Sequence, residues 1–164
     1  QILLTHSDFQ HKIRLTNARR TMENLLRNKV IPIINENDAV ADEEIKADLA
    51  LGDNDLLASL VVKLIRADLL IMLTTVDGVL EQSNDGKSSN RIKYIESITD
   101  ETFSLVREGP SSISKGGMDS KLKAAQSVAH AGCMSVIANG KKNGILSDII
   151  NCKDVGTLIL ASGI

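Results

Sequence analysis

Short apolar runs alternate along this chain with segments whose apolar residues recur at helical spacing. Val30-Ile31-Pro32-Ile33-Ile34 and Leu69-Leu70-Ile71-Met72-Leu73-Thr74 contain no charge, as strands covered on both faces do. Leu15, Ala18, Met22, Leu25 and Leu26 mark an amphipathic helix between Thr16 and Lys29. Leu56, Leu57, Leu60, Val61, Leu64 and Ile65 form the stripe of a second helix, opened by Asp53-Asn54-Asp55 as cap and first turn. The stretch Glu81 to Asn90 reads as too polar to pack, with a short strand or edge at Arg91 to Ile95 and a brief helix from Thr99 to Arg107. Gly109 to Gly117 reads as a loop. Ser120 to Ala131 predicts a helix with Leu122, Ala125, Val128 and Ala129 inward, stopped by Gly132. Strand Met134 to Ala138, a short helix near Ile145 to Ile150 and strand Gly156 to Leu160 complete the pattern. Such alternation predicts an α/β fold, a three-layer αβα sandwich around a mainly parallel sheet.

The 164 residues are read as a single domain, 1–164. Its core must be aliphatic, because the chain has no Trp, one Tyr and two Phe. That shortage, with a net charge of −2, argues against a nucleic-acid partner, since single-strand binding relies on aromatic platforms in a basic groove. Cys133 and Cys152 form no CxxC or Cys/His cluster, so no metal site is signalled and buried reduced thiols are expected. No run approaches the roughly 18 apolar residues of a membrane span, and a cytosolic protein is expected. The chain opens at Gln1 without a Met, already in an apolar run, so a further strand or loop is expected before it.

In parallel sheets ligands bind beyond the carboxyl ends of the strands. This rule selects the loops Asn35 to Asp55, Thr74 to Gly78 and Asn139 to Lys142, with the glycine-rich segment before Ser120 as a fourth. Asn35-Glu36-Asn37-Asp38 mixes amide donors with carboxylate acceptors, which suits a ligand carrying both ammonium and carboxylate; an Asx-rich turn is the structural alternative. Gly52-Asp53-Asn54-Asp55 offers more polar groups than a cap requires. Asn54 there could fix a carboxylate at the helix start while Asp55 orders a lysine or a metal-bound phosphate. Ser114-Lys115-Gly116-Gly117-Met118-Asp119-Ser120-Lys121 runs a glycine pair into a helix. Its amides could approach an anion, with Lys121 in the first turn as a mobile point charge. Gly86-Lys87-Ser88 fails as a phosphate loop because Glu81 stands where the first glycine is required, and Ser112-Ile113-Ser114-Lys115 lacks its companion motifs. His6, His11 and His130 lie far apart and are read as packing or solvated side chains.

Taken in order, Ile33-Ile34-Asn35-Glu36-Asn37-Asp38, Gly52-Asp53-Asn54-Asp55, Leu73-Thr74 with Asp77-Gly78, and Gly116-Gly117-Met118 with Lys121 closely resemble the glutamate 5-kinases of the amino-acid kinase superfamily. The resemblance covers nearly the whole chain from Gln1 onward. It implies that Asp38 and Asn54, with Asn35, hold the substrate glutamate, and that Asp55 organises the catalytic lysines. Thr74, Thr75 and the loop Lys115, Gly116, Gly117, Met118, Asp119, Ser120 and Lys121 would contact the nucleotide, Lys121 also stabilising the transferring phosphoryl group. The implied reaction moves the ATP γ-phosphoryl to the side-chain carboxylate of L-glutamate, with Mg²⁺ as cofactor, as the first step of proline biosynthesis. A homo-oligomer and feedback inhibition by proline are implied as well. The family's first strand, its lysine and its Gly-Ser phosphate loop do not occur in this sequence, so the chain alone is expected to be incomplete for activity. Nor does the RNA-binding-like domain that some members carry at the C-terminus. Thr75 stands where the family usually has Asp, and Ala47-Asp48-Leu49-Ala50 reads as an insertion in the loop that closes over glutamate. Two other readings stay open: another carboxylate kinase of the superfamily, acting on acetylglutamate, aspartate or carbamate, and a non-catalytic nucleotide- or amino-acid-binding module.

Overall fold

Backbone contacts divide the chain into two units, Gln1–Arg66 and Ala67–Ile164, and the computed structural model describes residues 1–37, 39, 53–82, 89–107 and 115–162. The order of elements is mixed α/β. No helix among the described residues is long and apolar enough to cross a membrane.

In the first unit, β1 (Ile2–Leu4) pairs in parallel with β2 (Ile34–Glu36), with Ile2 opposite Ile34 and Leu4 opposite Glu36. Helix α1 (His6–Gln10) begins where the Asp8 carboxylate accepts the Thr5 N–H at 2.8 Å and the Thr5 hydroxyl at 2.9 Å, reciprocal capping that satisfies a free amide of the first turn. Helix α2 (Lys12–Arg27) and helix α3 (Asp53–Ile65) close the unit around Leu4, Met22, Leu57 and Leu64. Arg19 Nε donates to the Leu64 carbonyl at 2.8 Å, occupying one of the acceptors that the last turn of α3 leaves open.

The strand expected at Val30 to Ile34 lies further along, at Ile34–Glu36, and it is not covered on both faces. Ile31 is 80% and Ile33 64% exposed. Lys29 takes a left-handed φ of 57°. Its N–H donates to the Leu26 carbonyl, and that of Val30 to the Leu25 carbonyl. These two bonds end α2 in a Schellman turn, so Val30 serves the helix end and strand pairing starts only where Ile2 N–H meets the Ile33 carbonyl at 2.8 Å.

The second unit carries a four-stranded sheet in the order β3, β7, β8, β6. β3 (Leu69–Thr74) and β7 (Met134–Asn139) are parallel along their whole length, from Leu69 opposite Met134 to Thr74 opposite Asn139. β8 (Thr157–Ile159) runs antiparallel to β7 and parallel to β6 (Tyr94–Ile95). β4 (Leu80–Gln82) pairs antiparallel with β5 (Ser89–Arg91), Leu80 opposite Arg91, so both ends of the polar stretch expected not to pack join a strand ladder, while residues 83–88 lie outside the described residues. Helices α4 (Asp100–Arg107), α5 (Lys115–Ala129) and α6 (Ile145–Ile150) belong to this unit. Ser135 to Ala138 are all buried. Successive strand residues point to opposite faces, so β7 is covered on both. Val136 and Ala138 pack with Ile145 and Ile149 of α6 on one of them. Both cysteines are free, but only Cys133 is buried as expected; Cys152 is exposed.

The glycine pair expected in a loop lies inside α5, which starts at Lys115 rather than Ser120. Met118, Leu122, Ala125 and Ala129 are all buried, and this stripe at helical spacing carries the helix back past the glycines.

Candidate active site

The expected substrate residues lie in the first unit. Asn35 is the middle residue of β2 and exposed, and just beyond it the Asn37 N–H donates to the Leu4 carbonyl at 2.9 Å. Asn54 and Asp55 are the second and third residues of α3, Asn54 exposed and Asp55 half-buried. The amides of a helix's first turn have no intrahelical acceptor, and its dipole favours negative charge there. An exposed Asn54 beside them can therefore help receive a carboxylate. Helix α3 packs against β2, so the unit brings these two polar segments onto adjoining elements. Asp38 lies outside the described residues. So does the 41–51 loop with its expected insertion. A cavity of about 310 Å³ in this unit, lined by Phe9, Leu15, Arg19 and Leu60 among others, involves none of the expected site residues.

The expected nucleotide residues lie in the second unit. Thr74 ends β3 half-buried and Thr75 is exposed in the turn that follows. The Thr74 carbonyl accepts the Gly140 N–H at 2.9 Å, tying the carboxyl end of β3 to that of β7. Here the sheet brings together two loops 60 residues and more apart in sequence. Asn139 Nδ2 donates to Asp77 Oδ1 at 2.9 Å, and Lys142 Nζ lies 2.9 Å from Asp77 Oδ2. These partners, Asn139 first and Lys142 second, hold the Asp77 carboxyl below the usual carboxylate range. In the sequence Asp77 belongs to an Asp-Gly turn and to the motif that carries the resemblance, with no role of its own assigned. The carboxyl-end rule pointed to both loops, but no local signal pairs their side chains.

Lys115, Gly116, Gly117, Met118, Asp119, Ser120 and Lys121 form the opening of α5. The amides of its first turn can receive phosphate oxygens as helix donors rather than as a loop. Gly117 is exposed, and a Cβ placed there would meet nothing within 4 Å. Met118 is buried in the core, Asp119 pairs with Lys123 at 3.2 Å, and the Ser120 hydroxyl donates to the Gly117 carbonyl at 3.0 Å. Lys121 was expected in the first turn. It is the seventh residue of α5, half-buried and already engaged by a partner. Its positive charge there is therefore not the misplacement that a first-turn lysine would be. Among the described residues no three His, Cys, Asp or Glu side chains gather to hold a metal ion.

The model of the amino acid kinase family matches residues 1–139. A glutamate 5-kinase from Maridesulfovibrio salexigens is 42% identical over 161 residues, covering 98% of this chain and 42% of that protein. One from Clostridium tetani is 42% identical over 160 residues, covering 96% of this chain and 58% of the relative. Among solved structures, the carbamate kinase from Giardia lamblia aligns with a TM-score of 0.59 over 88% of this chain and 49% of its own, at 22% identity, a likeness of fold alone. The chain thus spans 42% and 58% of the length of these two curated relatives.

Proposed function

The chain belongs to the amino acid kinase family, and from that premise we propose that it forms part of an ATP-dependent kinase that phosphorylates the side-chain carboxylate of L-glutamate to glutamyl 5-phosphate. The observation that carries this reading is the likeness to glutamate 5-kinases, 42% identity running through 98% of the chain. The step fits the side chains at hand. A glutamate side chain with a pKa of about 4.3 is already ionised at pH 7, so its oxygen attacks the γ-phosphorus without a general base and ADP leaves as the P–O bond to its β-phosphate breaks. Catalysis is then positioning and charge neutralisation.

In this proposal Asp38 and Asn54 hold the ammonium and carboxylate of glutamate with Asn35 beside them, and Asp55 orients lysines. Thr74, Thr75 and the first turn of α5 receive the nucleotide, and Lys121 offsets charge on the phosphoryl group in flight. Mg²⁺ characteristically takes one or two carboxylates plus phosphate oxygens, so in this proposal the ion would arrive on ATP. That ion supplies charge neutralisation. A cytoplasmic homo-oligomer inhibited by proline, acting at the first step of proline biosynthesis, belongs to the same proposal.

The protein carrying this chain, incubated with MgATP, L-glutamate and hydroxylamine, is expected to form γ-glutamyl hydroxamate only when both substrates are present. Lys121→Ala should lower turnover by about 10²–10³-fold, the loss typical of removing one charge-stabilising donor. Hydroxamate formed from acetylglutamate, aspartate or carbamate in place of glutamate would move the assignment within the superfamily. ATP binding without any hydroxamate would instead assign a non-catalytic module.

A further inference from the structure

The turn that follows β3 is held from two sides. On its outer side the Asp77 carboxylate collects Asn139 Nδ2 from the last residue of β7 and Lys142 Nζ from the loop beyond it, each at 2.9 Å. The Asn139 carboxamide is itself oriented, because its Oδ1 accepts the Lys141 N–H at 3.0 Å. On the inner side the Val79 N–H donates to Thr157 Oγ1 at 2.9 Å, and that hydroxyl donates to the Ile92 carbonyl at 2.6 Å. Thr74 and Thr75 stand at the start of this turn, joined to the β7 loop by the Gly140 N–H on the Thr74 carbonyl.

An exposed ion pair by itself contributes little to stability, and Asp77 and Lys142 are each about half exposed, at 48% and 52%. Their value lies in geometry. One carboxylate binds two donors from one neighbouring segment, the end of β7 and the loop after it, and the amide that reaches it has its other end fixed by that loop's own backbone. A turn constrained in this way gives up less conformational freedom when a ligand binds. We propose that Asp77, Asn139 and Lys142 are positioning residues for the nucleotide: they act through the 75–78 turn and hold Thr74 and Thr75 in binding geometry without touching ATP themselves. This inference rests on the nucleotide reading of Thr74 and Thr75 given above.

The test is calorimetric titration of MgATP into the parent protein, Asp77→Asn, Asn139→Ala and the double variant, with urea unfolding in the absence of nucleotide. Each single variant should bind MgATP about threefold to tenfold more weakly, the range that loss of one such bond covers. The double variant should be no weaker than the worse single one, because both changes break the same clasp. Amide exchange at Thr75 and Val76 should speed up while the urea midpoint stays near that of the parent. Variants that bind like the parent, losses that simply add, or losses that follow a falling urea midpoint would each overturn the inference. A parent that binds no MgATP would overturn the nucleotide reading itself, an outcome distinct from variants matching a parent that binds.

Discussion

Gly78 adopts a φ of +144°, and a Cβ there would sit 2.5 Å from Thr157 Oγ1. Both facts come from one arrangement: the chain must leave β3, turn, and place the Val79 N–H on that hydroxyl. Gly78→Ala therefore combines backbone strain with a steric clash and should destabilise by about 2–4 kcal/mol in urea denaturation. Gly117 presents the opposite case. It lies in a helix with open space around it, so on packing grounds Gly117→Ala should raise stability by about 0.5–1 kcal/mol. If its backbone is approached by a phosphate, the same variant should lose MgATP affinity while gaining stability, and calorimetry on one sample set reads both effects. The sequence shows two glycines in turn-like settings, and only their surroundings tell which of them has no room for a methyl group.

At the scale of elements, α2 and α5 end in the same hydrogen-bond pattern. Lys29 and Val30 donate to Leu26 and Leu25, and Gly132 and Cys133 donate to Ala129 and Val128. The end at Gly132 was legible, because glycine readily takes the left-handed φ of 81° found there. The end at Lys29 was not, because a lysine does so only at a cost. Lys29→Gly should relieve that strain and stabilise by about 0.5–1 kcal/mol after the entropy of an added glycine is subtracted; a drop in the urea midpoint would show that the turn does not govern this helix end. The same competition explains the start of α5. Glycines read locally as breakers, but the buried stripe from Met118 to Ala129 outweighs them, since packing of an apolar face supplies most of a helix's stability in a protein. Lys121 consequently moves from the first turn to the second.

At the scale of the molecule, Asp154 joins distant parts of the second unit: its carboxylate pairs with Lys93 at 2.8 Å and with Arg91, and Arg91 also donates to the Gly156 carbonyl. Hydrogen bonds from Lys93 and then Arg91 lower the Asp154 pKa from 3.8 to about 2. The folded protein therefore binds this proton more weakly than the unfolded chain. Asp154's contribution is complete above its ordinary pKa and disappears as pH falls through about 2. Thermal unfolding should show Asp154→Asn flattening the decline of stability between about pH 4 and pH 2, while a parent-like profile would mean that solvent screens the cluster fully. Asp154 is 63 residues from Arg91 and Asp77 is 62 from Asn139, and no window of local pattern contains either carboxylate together with its partners. By itself the sequence determined the α/β alternation, the stripes of α2, α3 and α5 and the bounds of β3, because periodicity and turn chemistry are properties of neighbouring residues. Only the tertiary structure decided that β8 runs antiparallel to β7, that Thr74 lies opposite Asn139, and that Asp77 meets Lys142. Strand partners, register and long-range hydrogen bonds are selected by the burial and pairing of the whole folded unit, and a segment carries no record of which distant segment will satisfy it.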